Sequence, residues 1–217
     1  MGAYINGMMS NGLYWLVRNI AWALLHLVCR CRVHGREHVP TSGPLLIVAN
    51  HMSWFDPLLL GALLPRRLWF YTKIEMFSWP IVGWLCKKTG QIPVNRGEGD
   101  RSSLVQALTY LREGKAVVVF PEGTVERQEM MIAAHSGVAM LAIRSGTMVL
   151  PVAHTGTRRV LRPGRGWWPK VVVEIGKAYI PSIPEGATRK AGLQAITQEV
   201  MTQIAEMLPA EQRGVYK

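Results

Sequence analysis

Short apolar runs alternate with amphipathic stretches along the whole chain. Leu45-Leu46-Ile47-Val48-Ala49 is brief, rich in branched residues and preceded by Ser42-Gly43-Pro44, the pattern of a buried strand. Ala116-Val117-Val118-Val119-Phe120 is an unbroken, largely β-branched run, which marks a central strand covered on both faces. Further strands are predicted between Cys31 and His38, from Arg67 to Thr72, in the extended piece Gly90 to Arg96, over Val149-Leu150-Pro151-Val152 and from Lys170 to Ile175. Helical periodicity fills the intervals. Asp56-Pro57 opens a buried helix stopped by Pro65, and a second runs from about Phe77 to Lys88, with Pro80 near its first turn and Gly90 as its C-cap. Others cover Ser102 to Glu113, about Ser136 to Arg144, and Thr188 to Leu208, where Leu193, Ile196, Val200, Ile204 and Leu208 align. Such alternation predicts an α/β fold with a mostly parallel central sheet flanked by helices, in which ligands gather outside the carboxyl ends of strands.

Residues 12–29 approach the ~20 apolar residues of a spanning helix, but polar residues interrupt them. At about 100° per residue, Asn11, Arg18, Asn19, His26 and Arg30 fall within one sector, leaving a wide apolar face of Leu13, Leu16, Ile20, Ala23, Leu24 and Leu27. This predicts an amphipathic helix lying in a membrane interface, with Arg18, Arg30 and Arg32 toward lipid phosphates and Trp15 and Trp22 at headgroup depth. A core-packed helix and a transmembrane anchor are the alternatives. The segment is a poor secretory signal, because it lacks a basic start, and Asn6 argues against myristoylation. Residues 1–32 thus form a helical appendage to one domain over residues 33–217.

Composition narrows the partners. Lys and Arg number 25 against 14 acidic residues, a formal charge of +11, which favours polyanions. The 8 tryptophans and 11 methionines tilt that preference from nucleic acid toward an anionic lipid surface. The basic, aromatic segment containing Arg158, Arg159, Arg162, Arg165, Trp167 and Trp168 is compatible with nucleic-acid binding but matches no binding module, and a membrane-facing hairpin explains it as well. Cys29, Cys31 and Cys86 contain no CxxC pair, and His34 and His38 lack further ligands, so neither a disulfide framework nor a metal site is expected; a reducing cytosol fits. No GxSxG elbow is present, and Gly97-Glu98-Gly99 is too short for a dinucleotide fingerprint.

Candidate chemistry sits where strands end. His51 leaves the strand at 45–49, and Asp56 follows five residues later at a helix start. On one helix, residues five apart point about 140° away from each other; across a strand-to-helix turn they can meet. Two readings are open: Asp56 as N-cap with His51 a polar loop residue, or a carboxylate that fixes one imidazole tautomer and makes a general base. Arg96 and Glu122 also lie just past predicted strands, so all can converge on one sheet edge.

Four ordered blocks, Asn50-His51-Met52-Ser53-Trp54-Phe55-Asp56, Gly90-Gln91-Ile92-Pro93-Val94-Asn95-Arg96, Phe120-Pro121-Glu122-Gly123-Thr124 and Val149-Leu150-Pro151-Val152, resemble the motifs of the glycerolipid acyltransferases, the family of the bacterial 1-acyl-glycerol-3-phosphate acyltransferases. The likeness spans about residues 35–180. It implies acyl transfer from acyl-CoA or acyl-carrier protein to the hydroxyl of a lysophospholipid such as lysophosphatidate, with no metal and no cofactor beyond the thioester donor, at the cytoplasmic face of a membrane. By position it implies His51 as general base, Asp56 as its orienting partner, Arg96 as the phosphate-binding residue, and Glu122, Gly123 and Thr124 lining the acceptor site. Two departures stand out. Val125 occupies the place of a family arginine, for which Arg127 is the nearest substitute, and His135 stands where lysine is frequent. Other acceptors, including a lyso-ornithine lipid or a glycolipid, therefore remain alternatives, as does a non-catalytic lipid-binding protein.

Overall fold

The computed structural model describes residues 11–95, 100–125, 129–160 and 168–217. Its centre is a seven-stranded sheet of β1 (Arg30–His34), β2 (Leu45–Ala49), β3 (Leu68–Lys73), β4 (Ile92–Val94), β5 (Ala116–Val119), β6 (Val149–Thr155) and β7 (Lys170–Ile175). The spatial order is β1-β7-β6-β2-β5-β3-β4. All neighbouring pairs run parallel except β6 with β7, an antiparallel step that the apolar pattern did not disclose. The two runs expected to be buried are the middle of the sheet: β2 lies between β6 and β5, and every residue of β2 is buried.

Among the described residues, seven α-helices accompany the strands: α1 (Asn11–Val28), α2 (Asp56–Leu63), α3 (Pro80–Thr89), α4 (Arg101–Arg112), α5 (Gly137–Ser145), α6 (Thr157–Val160) and α7 (Arg189–Glu206). Alternating side chains of each strand face opposite layers. Leu46, Val48, Val117 and Val149 pack with Ala107, Leu111, Leu141, Val200 and Ile204 of α4, α5 and α7. Ile47, Ala49, Val118 and Val152 pack with Leu25 of α1 and Leu59, Leu60 and Leu63 of α2. Gly90 ends α3 with φ of 73°, the left-handed geometry expected of a glycine C-cap. Asp100, which the sequence reading passed over, caps α4 by accepting from Ser102 N and Ser103 N.

Helix α1 lies across α2 in an orientation that only half matches expectation. Leu16, Ile20, Leu24 and Leu27 are exposed, and together with exposed Ala23 they form one apolar stripe. The opposite side is not wet: Tyr14, Leu25 and Cys29 are buried. Arg18, expected to meet lipid phosphates, instead donates to Leu64 O at 3.0 Å, with its guanidinium 5.0 Å from the Trp15 ring. That carbonyl lies at the end of α2, where it has no partner in a following helical turn, and an arginine satisfies it. Among the described residues, no helix is long and apolar enough to cross a membrane. Most of the proposed hairpin, residues 161–167, lies outside the described residues; Trp168 donates its indole N–H to His26 O at 3.1 Å. His34 and His38 serve the strand edge, His34 pairing with Glu174 at 2.7 Å and His38 donating to Ile175 O at 2.8 Å.

Candidate active site

Parallel strands β2, β5, β3 and β4 all end at the same edge of the sheet, and the candidate chemistry collects above the three central strands β6, β2 and β5. His51 follows β2 directly. Its Nδ1 lies 2.9 Å from Asp56 Oδ2, with His51 only 7% exposed and Asp56 0%. A ring nitrogen facing a carboxylate is its proton-bearing nitrogen, so Nε2 of the neutral ring carries the lone pair. Phe120, just past β5, stacks on the imidazole with centroids 4.3 Å apart and planes 19° apart, which restricts rotation of the ring.

Asp56 is not the N-cap. It is the first residue of α2, Phe55 holds the cap position, and no side chain among the described residues caps that helix. The carboxylate turns back into the preceding loop, where Oδ2 accepts from Met52 N and Ser53 N, each at 2.7 Å, as well as from His51 Nδ1. Two amides and an imidazole offer more than one helical N–H, and the loop supplies them at the right distance. Burial opposes the charge on Asp56. The adjacent His154 and His51 rings and the Ser53 amide outweigh it, holding the carboxyl below its ordinary range. Burial in turn pushes the His154 imidazole down, further than Asp56 raises it, so that ring is neutral near pH 7.

Glu122 is 3% exposed, and both of its oxygens take backbone donors: Oε1 accepts from His51 N at 2.8 Å and Oε2 from Ile132 N at 3.2 Å. It therefore ties the end of β5 to the start of the His51 loop. Gly123 has φ of 68°, and a Cβ there would lie 3.2 Å from the His135 ring, two reasons for glycine at this turn. Thr124 is exposed beside it. Arg96 and Arg127 lie outside the described residues; β4, which precedes Arg96, ends at the same sheet edge as β2. An open depression of about 600 Å³ between residues 133–136 and α7 is lined by His135, Gln194, Thr197 and Tyr216, and not by His51, Asp56 or Glu122.

Two further buried residues stand at this edge: Asn50, which opens the first sequence block, and His154, which no block contains. Asn50 and His154 are both 0% exposed, and the Asn50 carboxamide donates to His154 O at 3.0 Å and accepts from His154 N at 2.9 Å. The available signal was a histidine two residues beyond an apolar strand run, at the far end of a strand that extends past Val152 to Thr155.

The acyltransferase family model matches residues 30–155, which contain His51, Asp56, Glu122 and His154. A lyso-ornithine lipid O-acyltransferase of Pseudomonas aeruginosa is 42% identical over 141 residues, covering 64% of this chain and 51% of that protein. A 1-acyl-sn-glycerol-3-phosphate acyltransferase of Chlamydomonas reinhardtii is 32% identical over 195 residues, covering 82% of this chain and 56% of that protein. The chain thus spans about half the length of each. The crystal structure of the 1-acyl-sn-glycerophosphate acyltransferase PlsC from Thermotoga maritima superposes with a TM-score of 0.72 at 25% identity, covering 90% of this chain and 79% of that one. The chain belongs to the acyltransferase family.

Proposed function

We propose that this chain transfers a fatty acyl group from an acyl thioester, acyl-CoA or acyl-carrier protein, to the free hydroxyl of a lysophospholipid, with lysophosphatidate as the first acceptor. The observation that carries this reading is the buried His51–Asp56 pair, which holds one imidazole nitrogen on a carboxylate and leaves the other as a base. As the acceptor oxygen attacks the thioester carbonyl, its proton passes to His51 Nε2. A C–O bond forms, the C–S bond breaks, and the proton leaves with the departing thiolate. A thioester is already activated, so positioning and deprotonation meet most of the demand, and neither a metal nor a further cofactor is required. Arg96 binds the acceptor phosphate, for which a guanidinium fork is suited, with Arg127 as a second cation. Glu122 shapes the acceptor side through the loop it ties, with Gly123 and Thr124 at the rim.

A second acceptor, a lyso-ornithine lipid, is favoured by two observations. Val125 removes a cation from the phosphate side, and the 42%-identical Pseudomonas aeruginosa relative is named for that acceptor. Presenting lysophosphatidate, lyso-ornithine lipid and other lysolipids in turn with one acyl-CoA distinguishes them. Thiol release restricted to lysophosphatidate supports the first reading, release restricted to lyso-ornithine lipid supports the second, and release with neither overturns both.

The protein works at the cytoplasmic face of a membrane bearing anionic lipid. Support comes from the net charge of +11, from the exposed α1 stripe, and from exposed Trp54, Trp79, Ile81 and Trp84. Trp54 lies in the loop between His51 and Asp56, so an apolar surface borders the site where a lipid acceptor must arrive.

A further inference from the structure

The peptide group joining Asn50 to His51 is held at both ends. Its N–H donates to Glu122 Oε1 at 2.8 Å, and its carbonyl faces His154 Nε2 at 2.7 Å. Because a carbonyl only accepts, His154 must carry its proton on Nε2, and the neutral ring stands as the Nε2–H tautomer. The chain of contacts therefore runs His154 N–H, Asn50 C=O, His51 N–H, Glu122 carboxylate, each donor facing an acceptor. In a dry interior such a chain polarises every member of it and strengthens each bond. The peptide it fixes is the one that sets where the His51 side chain leaves the backbone.

His154 is further bound into this arrangement by its own main chain. Its N and O are taken by the Asn50 carboxamide, while β6 pairs with β7 at His154 opposite Val173. Its Nε2 also stands 3.6 Å from Asp56 Oδ2, beyond hydrogen-bond reach but with its positive N–H end near the carboxylate that orients His51. His154 Nδ1 has no hydrogen-bond partner among the described residues, so the ring makes its one hydrogen bond at the Asn50 carbonyl. A buried imidazole is an expensive way to fill space beside Val152 and Ala153; leucine would pack there without a polar atom to satisfy.

We propose that His154 is a positioning residue for the acyl transfer: its Nε2–H, acting with Glu122, clamps the Asn50–His51 peptide and thereby aims the His51 imidazole. This rests on the role of His51 as general base given above. The clamp predicts a loss of rate rather than of substrate binding, because a misdirected base leaves donor and acceptor sites intact. Misplacement of a reacting group by an ångström costs up to about 100-fold.

The test compares His154→Leu with His154→Gln in the full chain, using acyl-CoA with the best lysolipid acceptor. His154→Gln keeps an N–H donor at the reach of Nε2, so it should retain kcat within a few-fold of wild type. His154→Leu should lower kcat by roughly 10- to 100-fold with both KM values little changed. Imidazole 15N NMR without substrate supplies a reading independent of turnover. In the wild type, His154 should register as the Nε2–H tautomer and His51 as the Nδ1–H tautomer, and His51 should lose that single-tautomer signature in His154→Leu but not in His154→Gln. Wild-type kcat in His154→Leu, or equal loss in both variants with unfolding excluded by circular dichroism, overturns the proposal. An unaltered His51 spectrum in His154→Leu overturns it even if no acceptor has been found, whereas a protein inactive with every lysolipid but showing the predicted spectra contradicts only the assigned reaction.

Discussion

The carboxylate of Glu122 receives the backbone N–H of His51 at 2.8 Å, so the third sequence block is a structural support of the first. Removing it in Glu122→Ala leaves the amides of His51 and Ile132 without their acceptor in a buried site, at about 1–3 kcal/mol each. Urea unfolding should show a loss of about 2–6 kcal/mol, while Glu122→Gln, which keeps an acceptor oxygen for one of the two, should lose about half as much. Wild-type stability in Glu122→Ala would show that the two amides find other acceptors.

Asp56 makes the folded protein sensitive to acid. Its folded-state pKa is below the ordinary value, so its contribution is fully present above the unfolded-state pKa of about 4 and disappears as pH falls through the lower folded value. Stability should therefore drop below about pH 4 in the wild type, and this slope should be shallower in Asp56→Asn. The same variant should lose about 100- to 10,000-fold in kcat, because an amide no longer selects the His51 tautomer. Denaturation curves at several pH values and steady-state rates check the two effects separately.

His154 contributes in a different window. Its folded pKa is depressed and its neutral form is the buried one, so the stability it allows is complete above about pH 6.5 and declines as pH falls below that value, where the unfolded chain takes up a proton that the folded chain resists. Melting temperatures between about pH 5 and 7 should fall with acidity in the wild type, and this component should vanish in His154→Leu. Identical slopes in the two proteins would contradict a neutral buried ring.

Gly214 locks the C-terminal tail against the segment that supplies the Ile132 amide. It has φ of 55°, a Cβ there would run into the Met131 carbonyl oxygen, Met131 N donates to Gln212 O at 2.9 Å, and Ala134 N donates to Tyr216 OH at 2.9 Å. Gly214→Ala must adopt a left-handed backbone and displace Met131, costing about 1–3 kcal/mol. For a chain of this size that corresponds to roughly 2–4 °C per kcal/mol in melting temperature, and differential scanning calorimetry measures it.

The exposed stripe on α1 should determine membrane attachment. Replacing Leu16, Ile20, Leu24 and Leu27 together with serine should release the protein from vesicles containing anionic lipid while leaving its circular dichroism unchanged, since these side chains are exposed. Deleting the helix is a poorer experiment, because Leu25 and Cys29 belong to the core packed beneath it. Undiminished cosedimentation of the serine variant would refute attachment by α1.

How much of this was legible in the sequence depended on whether the information was local. Strand β2, central strand β5 and the α7 face of Ile196, Val200 and Ile204 follow from hydrophobic period alone, since burial on one or both faces imposes it. The meeting of His51 with Asp56 was one of two readings that the five-residue spacing left open, and the other ordered blocks rather than the spacing favoured it. The direction of the Asp56 carboxylate was not: a helix-start aspartate ordinarily caps, and only the three-dimensional convergence of Met52 N, Ser53 N and His51 Nδ1 draws it backward. His154 was illegible for a related reason. Its partner Asn50 is 104 residues away, and a histidine two residues beyond an apolar run does not by itself say that β6 continues beside the end of β2. On α1 the period alone does not say which side meets protein: the stripe of Leu16, Ile20, Leu24 and Leu27 is exposed while Tyr14 and Leu25 are buried and Arg18 reaches Leu64 O, an outcome set by the fit to α2.

In the proposed reaction His51 deprotonates a lysolipid hydroxyl, with no covalent enzyme intermediate. The most direct measurement is thiol release from acyl-CoA by purified protein, with and without the lysolipid, for wild type and His51→Ala. Direct attack by the acceptor makes release depend on the lysolipid, and loss of the base should lower it by at least about 1,000-fold in the variant while its melting temperature stays near wild type. Equal turnover in His51→Ala, or thiol release without any acceptor, would contradict it.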